Sequence, residues 1–371
     1  MTLSLYRETA SRREPGAYTP VRVAVVGLGY WGPNIVRNLV EHPNADLVAV
    51  CDKRDDALLK IARRYPAVAM TTELDEILAA DDIEAIAVVT PVATHRPIAA
   101  AALRAGKHVF VEKPLCASTR EALELQSLAR ARGLVLMPGH TFLYSPPVNC
   151  VYDLLRAGEL GDIYFISMSR VNLGLHQPDV SVAWDLGPHD FSILRYWMDE
   201  TPRHVSAWSR GCVIPAIADV AFITLEFDSG TLSHVELAWL APSKLRRTTI
   251  VGSRKMLMYD DTSHEPVRVF DTGVLVRDPE SFGEYQLTYR TGDIVSPHVP
   301  ADEPLLLEVG DFCDAVRLRT EPRSSLSLGI DVVRMVEAVD RSLANGGARV
   351  DLGAGVYAPS QPTSTHEADP T

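Results

Sequence analysis

The sequence predicts two domains: a doubly wound α/β domain on a parallel sheet, then an α+β domain on a mainly antiparallel sheet. Three observations predict this. From Val21 to about Pro138, short β-branched runs alternate with helical patterns, the rhythm of a βαβ series. The turn Gly27-Leu28-Gly29-Tyr30-Trp31-Gly32 joins the first such strand to the first helix. After Gly139 several strand patterns follow one another without intervening helices, which favours antiparallel pairing.

In the first domain, Arg22–Val26, Leu47–Cys51, Ala67–Met70, Ala85–Thr90, His108–Glu112 and Val135–Met137 read as buried strands. Parallel strands covered on both faces show such continuous apolar runs. Asn34–Glu41, Asp56–Arg64, Thr72–Ala79, Arg96–Ala105 and Arg120–Arg132 read as the helices between them. In the second domain, Pro146–Ala157 and Trp184–Trp197 read as helices. Ile163–Val171, Val220–Phe227, Thr231–Trp239, Thr248–Val251 and Met256–Tyr259 read as strands. Asp228-Ser229-Gly230 is a hairpin signal. An antiparallel sheet can leave one face free, and a homodimer or homotetramer through that face is expected. Leu305–Arg319 and Leu326–Ala344 read as late helices bracing the domain junction. The expected domains are 20–138 and 139–354, with loose polar tails at 1–19 and 355–371.

A chain of 371 residues exceeds one typical core. Lys plus Arg number 36 against 48 Asp plus Glu, giving a net charge of −12. That field repels polyanions and speaks against nucleic-acid binding. An anionic substrate would need a local basic pocket. The five cysteines lack any CxxC pairing and fit reduced thiols in a cytoplasmic protein. The first twenty residues carry no apolar signal core, and no apolar run is long enough for a bilayer.

The glycine turn follows a strand and opens a helix, the context in which this spacing binds a dinucleotide. Gly27 permits the tight turn, Gly29 lets the backbone approach a pyrophosphate, and Gly32 lets helix and strand pack closely. Tyr30 and Trp31 lie in the same loop. Asp52 ends the second strand about twenty residues after Gly32, where a carboxylate accepts the ribose hydroxyls of NAD and repels the extra phosphate of NADP. Lys53 and Arg54 follow at once and keep NADP open. Thr90-Pro91-Val92-Ala93-Thr94-His95 ends the fourth strand. It should border the nicotinamide ribose, with Thr94 able to cap the next helix.

Glu112-Lys113-Pro114 closes the fifth strand, and Pro114 stops further pairing. Lys113 there points to the cofactor cleft, where it can bond a reacting hydroxyl and stabilise an alkoxide. About seventy residues on, Asp185 and His189 share an i, i+4 helix face. His189 can exchange a proton near neutral pH; Asp185 can bind a neighbouring hydroxyl or orient the imidazole. A structural hydrogen bond is the plainer reading of the pair, and no third metal ligand is evident. Asp190 continues the polar face.

Gly27–Gly32 with Asp52, then Glu112-Lys113-Pro114, then Asp185-x-x-x-His189, in this order, resemble the Gfo/Idh/MocA oxidoreductase family from about residue 21 to 353. The resemblance implies a Rossmann domain plus an α+β domain whose large open sheet pairs subunits. It implies Lys113 and His189 as the catalytic pair, with Asp185 a substrate contact. Gly29-Tyr30-Trp31-Gly32-Pro33-Asn34, Gly139-His140-Thr141-Phe142-Leu143-Tyr144, Trp184–Asp190 and Trp239–Lys244 look like the branch acting on nucleotide sugars. That likeness implies oxidation of a hexose 3-hydroxyl, or reduction of a 3-keto sugar.

Arg170, Asn172 and His176 fall near the end of a strand at the expected cleft. Arg170 can grip a diphosphate or carboxylate bidentately. Lys244, Arg246 and Arg247 form the densest basic patch of the second domain, for phosphate or simply a solvated strand end. His140 and Tyr144 lie near the nicotinamide or belong to the core. The expectation is an NAD-dependent sugar dehydrogenase, a nucleotide-hexose 3-dehydrogenase before a dehydrogenase of free inositols or amino-sugar intermediates. A non-catalytic dinucleotide-binding regulator is the rival of another class.

Overall fold

A computed structural model describes residues 19–353 apart from 175, 178–179 and 278–285. The expected tails, but for Thr19, lie outside the described residues. In the first domain the chain runs β1 (Val21–Val26), α1 (Gly32–Glu41), β2 (Ala45–Cys51), α2 (Asp55–Arg64) and β3 (Ala69–Thr71). It continues α3 (Leu74–Ala79), β4 (Ala85–Val88), α4 (His95–Arg104), β5 (His108–Glu112), α5 (Thr119–Arg132) and β6 (Leu136–Gly139). The strands pair in parallel in the order β3-β2-β1-β4-β5-β6. The order reverses between β1 and β4, which opens a crevice at their carboxyl ends. Val23, Val25, Ala85, Ala87, Val109 and Val111 are buried on both faces of this sheet, so each strand reads as an unbroken apolar run.

The second domain contains α6 (Pro146–Arg156), β7 (Ile163–Val171), α7 (Val182–Met198), β8 (His204–Arg210), β9 (Val220–Glu226) and β10 (Leu232–Ala238). β11 (Leu245–Gly252), β12 (Met256–Asp260), β13 (Val267–Arg277), β14 (Gln286–Val295), α8 (Pro304–Leu318), α9 (Leu326–Ala344) and β15 (Val350–Asp351) follow. Among the described residues the strands form one sheet, β14-β13-β12-β11-β7-β10-β9-β8-β15. Its pairs are antiparallel except the central β7–β10. The hairpin expected at Asp228-Ser229-Gly230 joins β9 to β10, with Gly230 at φ +86°, a conformation glycine adopts without a Cβ clash.

Four strands escaped the sequence reading. β13 and β14 hold Asp271, Gly273, Gly292 and Asp293, and a register shift falls between Phe270 and Thr272. A bulge of this kind breaks the two-residue alternation on which a strand is recognised. β8 is half polar, and β15 has two residues.

Ile166, Met168, Ile223, Leu225, Val235, Leu237 and Ile250 point inward from the second sheet and are buried, α7 and α9 being among the helices on that face. The outer face shows Phe165, Trp208, Phe222 and Leu232, all exposed. The late helices reach back to the first domain. Arg37 of α1 pairs with Glu303 just before α8, and Arg317 of α8 donates to Glu84 at 2.7 Å. Ser324 Oγ donates to the Pro138 carbonyl at 2.5 Å. No described helix is long and apolar enough to cross a membrane.

Candidate active site

The glycine turn lies in the β1/β4 crevice. Gly27 sits at φ +102°, and a Cβ there would lie 2.4 Å from the Val89 carbonyl oxygen. A Cβ on Gly32 would lie 2.4 Å from the Gly27 oxygen, whereas one on Gly29 would meet nothing within 4 Å. Two glycines therefore serve packing, and the third opens onto clear space where a pyrophosphate fits. Asp52 braces the loop: Oδ2 accepts from Leu28 N at 2.7 Å and Oδ1 from Arg54 N at 2.9 Å. Burial works to raise its pKa, but these N–H bonds and the Arg54 guanidinium prevail and hold it below the ordinary carboxylate range. Arg54 Nη2 donates to the Leu28 carbonyl at 3.1 Å, so it is turned onto the loop, while Lys53 is exposed. Tyr30 and Trp31 stand edge to face, 5.8 Å apart, on the outer rim of the turn.

Two expectations at the next loop need correction. Thr94 occupies the N-cap position of α4, but its side chain makes no capping bond. Its hydroxyl donates instead to the Pro91 carbonyl and accepts from the Thr90 hydroxyl, both at 2.7 Å. His95 is buried rather than facing a ribose, with Nδ1 at 2.9 Å from the Pro114 oxygen and Nε2 at 2.7 Å from the Thr90 oxygen. It ties the two loops that floor the cleft.

Lys113 lies where β5 ends, before a cis peptide to Pro114. Its Nζ donates to the main-chain oxygen of Asp185 at 2.9 Å and lies 3.5 Å from Asp185 Oδ1. Pro188, inside α7, has no N–H to give to the carbonyl one turn back, next to the carbonyl that Lys113 uses. Asp185 Oδ2 accepts from Trp239 Nε1 at 3.0 Å. Asp185 is thus bonded to Trp239 and Lys113, and the alternative in which it orients the imidazole does not hold. His189 is partly exposed, its Nδ1 buried without a protein partner. The ring meets Phe142 edge-on at 5.0 Å. Burial first, then the charges of Lys113 and Arg170, hold its pKa well below the ordinary imidazole value.

The second-domain residues are placed less as expected. Arg170 is buried, with Nε at 2.7 Å and Nη2 at 3.1 Å from the two Asp190 oxygens. Its fork is occupied, so the expected bidentate grip on a diphosphate is excluded, and Asp190 is no mere continuation of a polar face. The basic patch divides by strand alternation. Arg246, in register with Arg170, faces inward and donates to Asp261 at 3.1 Å. Arg247 faces outward onto Asp260 at 3.0 Å. Lys244 precedes the strand and is exposed. Arg170 and Arg246 lie 4.6 Å and 5.7 Å from the Phe142 ring centroid.

Tyr144 is core, its hydroxyl donating to Asp311 at 2.7 Å and accepting from Ser324 N at 3.0 Å; of its two readings, a place near the nicotinamide and substrate gives way to packing. His140 is buried, both ring nitrogens lacking a protein partner. Burial and the Lys113 charge push its pKa down to about 3. Asn172, in the loop after β7, is half-buried. His176 packs on Trp239 with ring centroids 5.3 Å apart. Among the described residues no three His, Cys, Asp or Glu are placed to hold a metal.

Sequence reasoning gave no role to Phe142, Trp239 and Glu308. Aromatic and long acidic residues carry no local signal for contacts made across 47, 54 or 167 positions.

Five buried or half-buried histidines have a measurable consequence. His42, His95, His108, His140 and His189 all have pKa values lowered by burial first. The unfolded chain binds protons at these sites before the folded one does. Stability is therefore complete above the ordinary imidazole pKa and lost as pH falls below it, by up to about 1.4 kcal/mol per pH unit for each site. Melting temperature should drop steeply from about pH 7 to pH 5, less so in His140→Gln. A flat wild-type profile would contradict this.

The fold and these groups together define a dinucleotide-binding oxidoreductase. Residues 21–140 match the sequence profile described as "Oxidoreductase family, NAD-binding Rossmann fold", and 148–258 match the GFO/IDH/MocA C-terminal domain. The chain belongs to the Gfo/Idh/MocA oxidoreductase family, and it is an NAD-binding enzyme. It is 33% identical over 88% of its length, and all of the relative's, to 4-carboxy-2-hydroxymuconate-6-semialdehyde dehydrogenase from a Sphingobium species. It is 40% identical over 149 residues, 45% of that relative, to dTDP-3,4-didehydro-2,6-dideoxy-alpha-D-glucose 3-reductase of Streptomyces antibioticus. GenD2 from gentamicin A biosynthesis, solved with NAD, superposes with a TM-score of 0.78 at 26% identity, covering 91% of this chain and 98% of its own.

Proposed function

We propose that the protein exchanges hydride between NAD and a secondary hydroxyl or ketone of a sugar, with C3 of a nucleotide-activated hexose as the reacting carbon. One observation carries the reading: Lys113 Nζ is fixed on the carbonyl of Asp185, one helical turn from a partly exposed His189. Bound NAD accepts or supplies the hydride. The open side of Gly29 would receive its pyrophosphate and Asp52 its ribose, with Arg54 turned away from a 2′-phosphate. His189, buried at Nδ1, takes the hydroxyl proton at Nε2. Its depressed pKa keeps it unprotonated and able to act at neutral pH. Lys113 bonds the same oxygen as negative charge develops there. Asp185 and Asn172 hold adjacent hydroxyls, and Arg246 offers the inward cation for a phosphate. The 3-reductase relative supports nucleotide sugars.

A second reading, a free sugar, inositol or aminoglycoside-type intermediate, is favoured by the likeness to GenD2. A non-catalytic regulator would have no use for Lys113 and His189. The described cysteines are free thiols, in keeping with a cytoplasmic site of action.

The test is nicotinamide turnover with NAD, then NADP, against UDP- and dTDP-hexoses, free hexoses, inositols and aminoglycoside intermediates. The carboxylated semialdehyde of the Sphingobium relative belongs in the same panel. Turnover of a nucleotide sugar, lost in His189→Ala, supports the proposal. Turnover confined to free polyols moves the assignment to the second reading. Silence in both directions would refute the sugar assignment.

The exposed outer face of the second sheet is the proposed subunit contact. The double variant Trp208→Glu, Phe222→Glu should halve the mass measured by light scattering relative to wild type. An unchanged mass would refute this interface.

A further inference from the structure

Behind Lys113 lie two carboxyls that the chemistry above does not use. Glu308 of α8 is fully buried; Oε2 accepts from Thr141 Oγ1 at 2.6 Å and Oε1 has no protein partner. Glu112, at the end of β5, is buried as well, with Oε2 accepting from Lys113 N at 3.0 Å. In the chain, His140 lies between the residues that meet the two. The residue before it, Gly139, is the register partner of Glu112, and the residue after it, Thr141, is the one bonded to Glu308. Its own ring nitrogens are both buried without a protein partner, as is Nδ1 of His189. Donors and acceptors left this way are rare in a packed interior and mark places where protons are exchanged or bridged.

We infer that Glu112 and Glu308 form a carboxyl pair that holds one proton in the resting protein and exchanges a second with His189 by way of His140. This rests on the reading of His189 as the group that takes the hydroxyl proton. The electrostatics favour the direction. Burial, then the charge of Glu112, pushes Glu308 well above its ordinary pKa, and burial raises Glu112 to about 7 against the pull of Lys113. Two carboxylates in one buried site cannot both ionise easily. Lys113 faces Glu112 with a positive charge, while Asp311 of α8 and Tyr144 face Glu308 and bring none. Around His189 the balance is opposite, because Lys113, Arg170 and Arg246 all disfavour an imidazolium.

The step is a proton transfer alone. On oxidation the substrate O–H proton reaches His189 Nε2, and the imidazolium releases one from Nδ1. His140, whose nitrogens like His189 Nδ1 meet no protein partner, takes that proton up at one nitrogen and passes one on from the other by way of bridging water. The ionised carboxylate gains an O–H, taking the pair from one negative charge to none. Ketone reduction runs the same transfers backward.

Infrared spectra of the NAD-bound protein at neutral pH test the resting proton without any substrate. A protonated-carboxyl C=O band that shifts in D2O, disappears in Glu308→Gln and moves in Glu112→Gln is the expected result. Identical carboxyl regions in wild type and Glu308→Gln would overturn the inference. If Glu308→Gln does not fold, Glu112→Gln alone is read, and it must alter the band. With a substrate from the panel, Glu308→Gln should lower kcat about tenfold to hundredfold, and added imidazole should restore it saturably. A loss that imidazole leaves untouched would overturn the exchange with His189. The infrared result is independent of substrate, so it stands or falls apart from the sugar assignment.

Discussion

Replacing Lys113 with methionine is expected to lower kcat by about 10²–10³-fold, the usual effect of deleting one donor to a developing oxyanion. Binding of NAD should change little. The methionine keeps the unbranched stem and removes only the ammonium that bonds the Asp185 carbonyl at 2.9 Å. Nucleotide affinity follows from nicotinamide fluorescence quenching and kcat from nicotinamide turnover. If NAD binding falls in step with kcat, Lys113 holds cofactor and contributes nothing particular to the reacting oxygen. If kcat is unchanged, the proposed role is wrong.

The largest stability effect should come from Arg170 and Asp190, whose side chains are each 5% exposed. Arg170→Met leaves the Asp190 carboxylate buried without its partner, a situation that costs about 3–5 kcal/mol. It also removes the guanidinium from the Phe142 face. The double variant Arg170→Met, Asp190→Leu should regain much of that loss, since well-packed apolar replacements of a buried ion pair are often neutral. Urea denaturation of wild type, Arg170→Met, Asp190→Leu and the double variant measures the coupling. A single-variant loss below about 1 kcal/mol would show that the pair is hydrated in solution.

The first domain was legible almost residue by residue because its inner strands are covered on both faces and its helices on one. Buried parallel strands such as Val21–Val26 and Ala85–Val88 leave continuous apolar runs, and the glycine turn between β1 and α1 gives the register. The second domain was legible only where alternation survived. β9 and β10 show it; β13, bulged at Asp271, does not. The site divides similarly. Lys113, Asp185 and His189 announce themselves by residue type and spacing. What surrounds them does not: Trp239 reaches Asp185 from the end of β10, and Glu308 reaches Thr141 from a late helix. Arg170 and Tyr144 misled for the same reason. A charged or hydroxylated residue near a strand end is equally compatible with a ligand and with a distant partner that only folding reveals, here Asp190 and Asp311.

The anchoring of Lys113 separates two things that enzymes often entangle. Its shortest bond is to the backbone oxygen of residue 185, not to that residue's carboxylate. On the proposed reading of Asp185 as a substrate contact, a substitution there changes which hydroxyl pattern is accepted without cutting the amine loose, because every amino acid brings the same carbonyl. The cleft can therefore be retuned for a new sugar at 185 while its proton and charge machinery stays in place.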